Sequence, residues 1–234
     1  MSLQHRSYQT ELLDADAIPF ADIKLNMQEL NTINTLLGGH SITVKGVAKL
    51  MGNLKEIHIC EIGCGGGDNL IAINKYCQQK NITVHFTGID IKQACIDFAT
   101  TKTALQHNTT WLTCDYQQAV FTTNPHIIFS SLFCHHFTSE QLVFQLQWML
   151  ENSSIGFFIN DLQRHYLAYY SIKILTQIFS KSCLVKNDAP LSVARGFTKN
   201  ELIDLLQKAN INSYDMSWKW AFRFLIIYKK QCSK

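Results

Sequence analysis

At 234 residues the chain fits one large α/β domain with a substantial core. Its composition, 47% apolar and 17% charged, excludes an intrinsically disordered chain, and a net charge of +3 is too small to demand nucleic acid or a membrane surface as a partner through electrostatics alone. Eight cysteines, at 60, 64, 77, 95, 114, 134, 183 and 232, contain no CxxC pair, which argues against a disulfide framework and against zinc. No metal is expected, and reduced thiols point to the cytoplasm.

The first twenty residues, MSLQHRSYQTELLDADAIPF, are polar and acidic, unlike a signal peptide. No apolar run approaches the roughly 20 residues that span a bilayer. Residues 22–53 read as two helices: Ile23, Met27, Leu30, Ile33 and Leu37 recur at helical spacing, Gly38-Gly39 interrupts them, and Val44, Val47, Ala48 and Met51 resume the period. From Lys55 short β-rich runs alternate with helical periods. EIHICEIG (56–63) precedes a helix from Asp68 to Gln79, and ITVHFTGID (82–90) precedes one from Lys92 to Thr103. TTWLTCD (109–115) leads into a polar turn, HIIFSS (126–131) precedes a helix from Ser139 to Leu150, and IGFFIN (155–160) is a further strand. Such alternation indicates βαβ units with right-handed crossovers.

Residues 162–196 form an insertion: a helical, aromatic run, LQRHYLAYYSIKILTQIF, then KNDAPLSVARG, which reads as a loop. A helix from Thr198 to Ala209 opens with a capping box, Thr198 and Glu201. INSYDMSW and AFRFLIIYKK follow, separated by about two residues, as a hairpin that adds an antiparallel strand. The expected architecture is a doubly wound, Rossmann-like, seven-stranded and mostly parallel sheet whose last strand is antiparallel, with helical lid elements. One domain is expected, divided into an N-terminal helical cap (1–53), a ligand-binding core (54–161), a lid insertion (162–196) and a C-terminal helix with hairpin (197–234).

Glu61-Ile62-Gly63-Cys64-Gly65-Gly66-Gly67 has the form E-x-G-x-G-x-G at a strand-to-helix turn, where small residues let main-chain N–H groups approach a ligand. The dinucleotide fingerprint needs a glycine at the position of Asp68, and Asp68-Asn69 also excludes a phosphate loop ending in G-K-[ST]. Carboxylates on both sides of the turn disfavour a pyrophosphate and welcome a cation.

On these residues the chain resembles class I S-adenosylmethionine-dependent methyltransferases, in particular the UbiE-like small-molecule group. The resemblance runs through residues 55–160 and includes TGID, TCDY and HIIFSSLFCHHF in the family's order. It implies S-adenosylmethionine as cofactor, with Glu61, Gly63, Cys64, Gly65 and Gly67 in the glycine turn and Asp90 on the ribose hydroxyls. It also implies Ile91 against adenine, Asp115 and Tyr116 near the adenine amino group, and Ser130 and Ser131 along the methionine portion. His126 stands where the family commonly has Asp. His135 and His136, with Asp161 after the next strand, offer an imidazole–carboxylate base, and either histidine suits the role. His40, His165, Tyr169 and Arg195 are candidate acceptor-binding residues, with Tyr166, Tyr169 and Tyr170 forming one helical face. The expected activity is O-methylation of a hydrophobic aromatic small molecule, phenolic, quinol-like or polyketide-like. C-methylation of a quinol or enol ring, a catalytically silent cofactor-binding scaffold and an NAD-dependent reductase are the alternatives. No nucleic-acid partner or integral membrane segment is expected, and a homodimer is left open.

Overall fold

A computed structural model describes residues 3–15 and 17–231. Seven strands are β1 (Glu56–Ile62), β2 (Thr83–Asp90), β3 (Thr109–Thr113), β4 (Ile127–Ser131), β5 (Gly156–Leu162), β6 (Asp215–Lys219) and β7 (Arg223–Lys229). They form one sheet in the order β3-β2-β1-β4-β5-β7-β6, in which only β7 runs against its neighbours. Glu61 stands level with Gly88 on one side and Phe129 on the other. Strand order reverses between β1 and β4, so a crevice opens above the carboxyl ends of these two strands.

The inner strands are apolar on both faces because helices cover both. On one face α2 (Gly39–Met51) and α3 (Asp68–Gln79) bring Val47, Leu50, Leu70 and Ile73 onto Phe86, Phe129 and Phe158. On the other, α5 (Ser139–Asn152) and α8 (Lys199–Lys208) bring Leu146, Met149, Leu205 and Leu206 onto Ile128, Phe157 and Ile226. α1 (Phe20–Leu36) packs Ile23 and Met27 against Phe98 and Cys95 of α4 (Gln93–Thr100). The two N-terminal helices therefore part company: α2 belongs to the core layer, and only α1 lies over the crevice.

The insertion is α6 (Tyr166–Phe179) followed by α7 (Cys183–Arg195). The segment read as a loop, KNDAPLSVARG, is helical as far as Arg195 despite Pro190. Proline removes a donor and crowds the preceding turn, but Leu184, Val185, Leu191, Val193 and Ala194 are buried, and that packing overrides propensity. Smaller differences concern ends. α4 stops at Thr100 and a separate turn spans Thr103–Leu105, and the β6–β7 connection is three residues long. In that connection Ala221 and Phe222 take φ of +63° and +56°. The Thr198–Glu201 capping box is present, and Thr138 with Gln141 forms a second one. Cys60, Cys64, Cys77, Cys95 and Cys134 are buried and free, as small apolar residues would be, while Cys232 lies outside the described residues.

Gly46 marks the closest approach of α2 to the sheet. A Cβ there would stand 2.7 Å from the ring of Phe158, which is fully buried and stacked on Phe129 at 4.8 Å. Gly46→Ala is expected to destabilise the protein by ~1–3 kcal/mol through overpacking, although helix propensity alone would favour Ala by about 1 kcal/mol. Urea unfolding measures it, and an unmoved midpoint would contradict this packing.

Candidate active site

The crevice holds a cavity of about 660 Å³ that joins the glycine turn, the β4 turn and the insertion. After β1 the chain reverses through Gly63 at φ +67°, where a Cβ would lie 2.2 Å from the ring of Phe133. Only glycine fits both the conformation and the contact. The Gly65 N–H donates to Asp90 Oδ2 and the Lys92 N–H to Asp90 Oδ1, each at 2.9 Å. The carboxylate at the end of β2 thus orders the glycine turn and keeps unused lone pairs. Burial raises the Asp90 carboxyl above its ordinary range, against the pull of these N–H groups.

Glu61 is 1% exposed. Its Oε1 accepts from Asn69 Nδ2 at 2.7 Å, and its Oε2 has no partner among the described residues. Burial pushes its carboxyl well up, with Asn69 opposing and Asp68 and Asp90 adding to the rise. An orphaned buried carboxylate oxygen is costly and fits a cationic ligand. His40 lines the cavity beside it, bridging Asn69 Oδ1 and Asn31 Oδ1 at 2.9 Å each.

Of the other expected ligand-binding positions, Cys64, Ile91, Asp115, Tyr116 and Ser131 line the cavity. Asp115 also caps the turn after β3 by accepting the Gln117 N–H at 3.0 Å. Gly67 and Ser130 stand behind the wall. Gly67 is the cap of α3 against Trp111, and Ser130 is fully buried, 3.2 Å from Cys134 Sγ. In a strand, neighbours point to opposite faces, so Ser130 and Ser131 cannot both face the cavity.

β4 ends at Ser131, Leu132 takes φ +55°, and a 3-10 turn, Cys134–His136, presents both histidines to the cavity. His135 Nδ1 lies 2.7 Å from Asp161 Oδ1 on β5. Asp161 also accepts the N–H groups of Phe133 at 3.2 Å and Leu162 at 2.7 Å. Burial opposes its charge, but His135 and these donors hold the carboxyl below its ordinary range.

The sequence did not single out Glu11. The strap of residues 3–15 crosses the β4 turn, and Glu11, 5% exposed, lies 3.7 Å from His135 Nε2 and 3.8 Å from His136 Nε2. Ser192 donates to Glu11 Oε1 at 2.8 Å, and His136 Nδ1 is 3.5 Å from Asp14. Burial raises the Glu11 carboxyl, with His136 and Ser192 opposing. Asp188 of α7 pins the strap by accepting the N–H groups of Leu12 and Leu13. Where no metal centre was expected, ligand atoms of Glu11, His135 and His136 lie within 4.8 Å of one another. Two carboxylates in ELLD are the only local signal, and no periodicity links them to residues more than 120 positions away.

Three acceptor-binding expectations are corrected. Arg195 is not in a loop facing the cavity: its guanidinium donates to the carbonyls of Gln9 (2.7 Å), His136 (2.8 Å) and His135 (3.1 Å), which ties the strap to the histidine turn. His165 caps α6 by accepting the Leu167 N–H and stacks on Phe222. Tyr169 packs with Leu3, Val193 and Ala194, while Tyr166 and Tyr170 are half exposed. The stripe of α6 that faces the cavity is Ala168, Ser171, Ile172 and Leu175, which is equally periodic. The sequence also passed over Arg223, a buried cavity residue whose Nη2 donates to Asn34. Burial brings its guanidinium down to about 10, against the pull of Asp161.

Residues 59–151 match the family model described as a methyltransferase domain. No curated protein matches the chain. Among solved structures, the plantazolicin methyltransferase BpumL with a pentazolic desmethyl analogue and SAH is 15% identical with a TM-score of 0.65, covering 90% of this chain and 91% of that one. A SAM-dependent methyltransferase from Aquifex aeolicus is 16% identical with a TM-score of 0.59, covering 91% and 99%. Magnesium protoporphyrin IX methyltransferase (ChlM) from Synechocystis PCC 6803 with bound SAH is 13% identical with a TM-score of 0.55, covering 93% and 90%. Identities this low speak for the fold. The matched segment is similar to a methyltransferase domain, and the chain around it has the fold of the class I S-adenosylmethionine-dependent methyltransferases.

Glu61→Gln separates stability from binding. It is expected to raise the melting temperature of the ligand-free protein by relieving a buried charge, and to weaken S-adenosylhomocysteine by about tenfold, roughly 1.4 kcal/mol. The raised Glu61 carboxyl means that this group keeps its proton in the folded ligand-free protein at pH values where the unfolded chain has lost it. The contribution of this group to stability therefore falls as pH climbs past about 4.3, and the variant should lack that loss. Calorimetric titration and pH-resolved melting read both effects. Unchanged affinity would contradict the role of the orphan oxygen.

Proposed function

We propose that the protein transfers a methyl group from S-adenosylmethionine to a hydroxyl of a hydrophobic, ring-bearing small molecule, as UbiE-like enzymes of natural-product pathways do. One observation carries the reading: a single cavity joins the carboxylate-flanked glycine turn to the histidine turn under an apolar roof. When bound, the cofactor supplies a methyl carbon activated by a sulfonium. The residues suited to hold it are Glu61 for its ammonium, Asp90 for its ribose diol, and the Gly63–Gly65 backbone with Asp115 and Tyr116 around the remainder. A vicinal diol matches a carboxylate with free lone pairs.

Residues 54–161 supply this part, and α1, α6 and the β6–β7 connection cover the acceptor side. Leu30 and Ile33 of α1, Leu37 just after it, Ile172 and Leu175 of α6, and Trp220 make that side apolar. Such a roof excludes water from a displacement that water would intercept, and it suits a planar, poorly soluble acceptor. His135, oriented by Asp161 through Nδ1, lines the cavity with its Nε2 3.7 Å from Glu11, and in this reading Nε2 takes the hydroxyl proton as the oxygen attacks. Asp161 fixes the ring and stabilises the resulting imidazolium. Burial keeps the free thiols in place as packing groups, which supports a reducing, cytoplasmic setting. No described helix is long and apolar enough to cross a membrane.

His135→Ala and Asp161→Asn should each lower turnover of a phenol or quinol acceptor by about 10²–10⁴-fold, with S-adenosylhomocysteine affinity within threefold of wild type. A panel of phenols and quinols, assayed by product mass, provides the acceptor. Wild-type turnover in both variants would refute the base assignment. A wild-type protein that binds no S-adenosylhomocysteine would refute the whole reading.

A further inference from the structure

We propose that Glu11, His135 and His136 form a binding site for a divalent first-row metal ion of the zinc type, at the acceptor end of the cavity. The three side chains come from two stretches of chain and converge by their ligand atoms. Glu11 Oε1 stands 3.7 Å from His135 Nε2, and Oε2 stands 3.8 Å from His136 Nε2. These separations exceed the roughly 3.2 Å limit of a good hydrogen bond. Each suits a pair of ligands on one ion, because bonds of about 2.0–2.2 Å put two donors up to roughly 4.2 Å apart, and the ligand atoms of the three residues together lie within 4.8 Å of one another.

The opposite edge of each imidazole faces a carboxylate, at hydrogen-bond distance for His135 and at ion-pair distance for His136. His135 Nδ1 lies 2.7 Å from Asp161 Oδ1, and His136 Nδ1 lies 3.5 Å from Asp14 Oδ1. A ring that carries its hydrogen on Nδ1 presents a lone pair at Nε2. Both Nε2 lone pairs then meet a carboxylate, and three electron-rich groups face one another inside the protein. The guanidinium groups of Arg6 and Arg195, which hold this turn, donate to the carbonyls of His135, His136, Phe137 and Gln9, and Arg195 Nη1 also stands 3.8 Å from Asp14 Oδ2. A cation at the focus turns the mutual repulsion into coordination. Carboxylates behind the ligating histidines are the supporting groups such sites use.

Two imidazoles and one carboxylate form a borderline donor set suited to zinc and its first-row neighbours, with coordination positions left open toward the cavity. Metal binding stands independently of the function proposed above, but its catalytic use rests on that function. An acceptor hydroxyl would join as a further ligand and become more acidic. Its proton would leave to solvent as the acceptor enters, and the oxygen would then bond to the methyl carbon as the carbon–sulfur bond breaks. In the loaded protein the ion, rather than the free Nε2 of His135, makes the oxygen nucleophilic.

The test uses full-length protein stripped with a chelator. Co²⁺ is titrated by visible absorption and Zn²⁺ by calorimetry. One equivalent should bind, with a Co²⁺ spectrum of low coordination number. Glu11→Gln and His136→Ala should each weaken binding at least tenfold, while His85→Ala, in the separate His58–His85 pair on the sheet, should not. Melting curves and S-adenosylhomocysteine binding verify that each variant is folded. Absence of stoichiometric binding, or equal affinity in Glu11→Gln, His136→Ala and wild type, overturns the site. Full turnover by the stripped enzyme overturns its catalytic use and leaves the imidazole base standing. Failure of the wild type to bind S-adenosylhomocysteine strikes the methyltransferase reading and leaves the metal titration intact.

Discussion

Carboxylates withdrawn from water at the carboxyl ends of β1, β2 and β5 govern the rest of this structure. Glu61, Asp90 and Asp161 are each buried or nearly so, and a parallel sheet forces them there, because its central strands are covered on both faces. A carboxylate out of water is tolerated only with donors or a positive charge beside it. Asp90 receives two main-chain N–H groups, and Asp161 receives two more plus an imidazole. Glu61 keeps one oxygen with no partner among the described residues. Burial therefore raises Glu61 and Asp90, while Asp161 stays below its ordinary range. The cavity is built to favour positive charge at the glycine turn and to hold an imidazole in place a strand away.

A second layer of constraint joins segments far apart in sequence. The strap of residues 3–15 has little regular structure of its own, yet Arg6, Asp188, Ser192 and Arg195 lock it against α7 and the histidine turn. Each of these bonds uses a main-chain carbonyl or N–H or a buried carboxylate as partner, which gives direction as well as affinity. The result brings Glu11 to the histidines. α7 owes its helical form to the same packing, which keeps a proline-containing segment helical.

The apolar half of the cavity explains why the helical elements surround it as they do. α1 and α6 each turn one stripe inward, and the β6–β7 connection adds Trp220. The tyrosines of α6 serve the outside of this wall and its seam with α7, not the cavity.

Much of this was legible in the residues. The alternation of β-rich runs with helical periods specifies βαβ units, and a glycine turn between a strand and Asp68 marks the ligand crevice, because local sterics admit few other structures there. Glu61, Asp90, Asp115 and the His135–His136 pair were visible because each sits at the end of a strand, where the topology gathers side chains. Which face of a strand or helix meets the cavity was not visible: Ser130 and Ser131, or Tyr169 and Ile172, are equivalent by period, and only packing against other elements distinguishes them. Arg195 was misread for the same reason, since a long cationic side chain near a site is equally suited to ligand and to main chain until its carbonyl partners are known. Glu11 was hidden because its partners lie more than 120 residues away. Sequence alone determined the local conformations and the kind of sheet they build; tertiary structure decided which polar groups lost their water together, because burial is a property of the assembled chain.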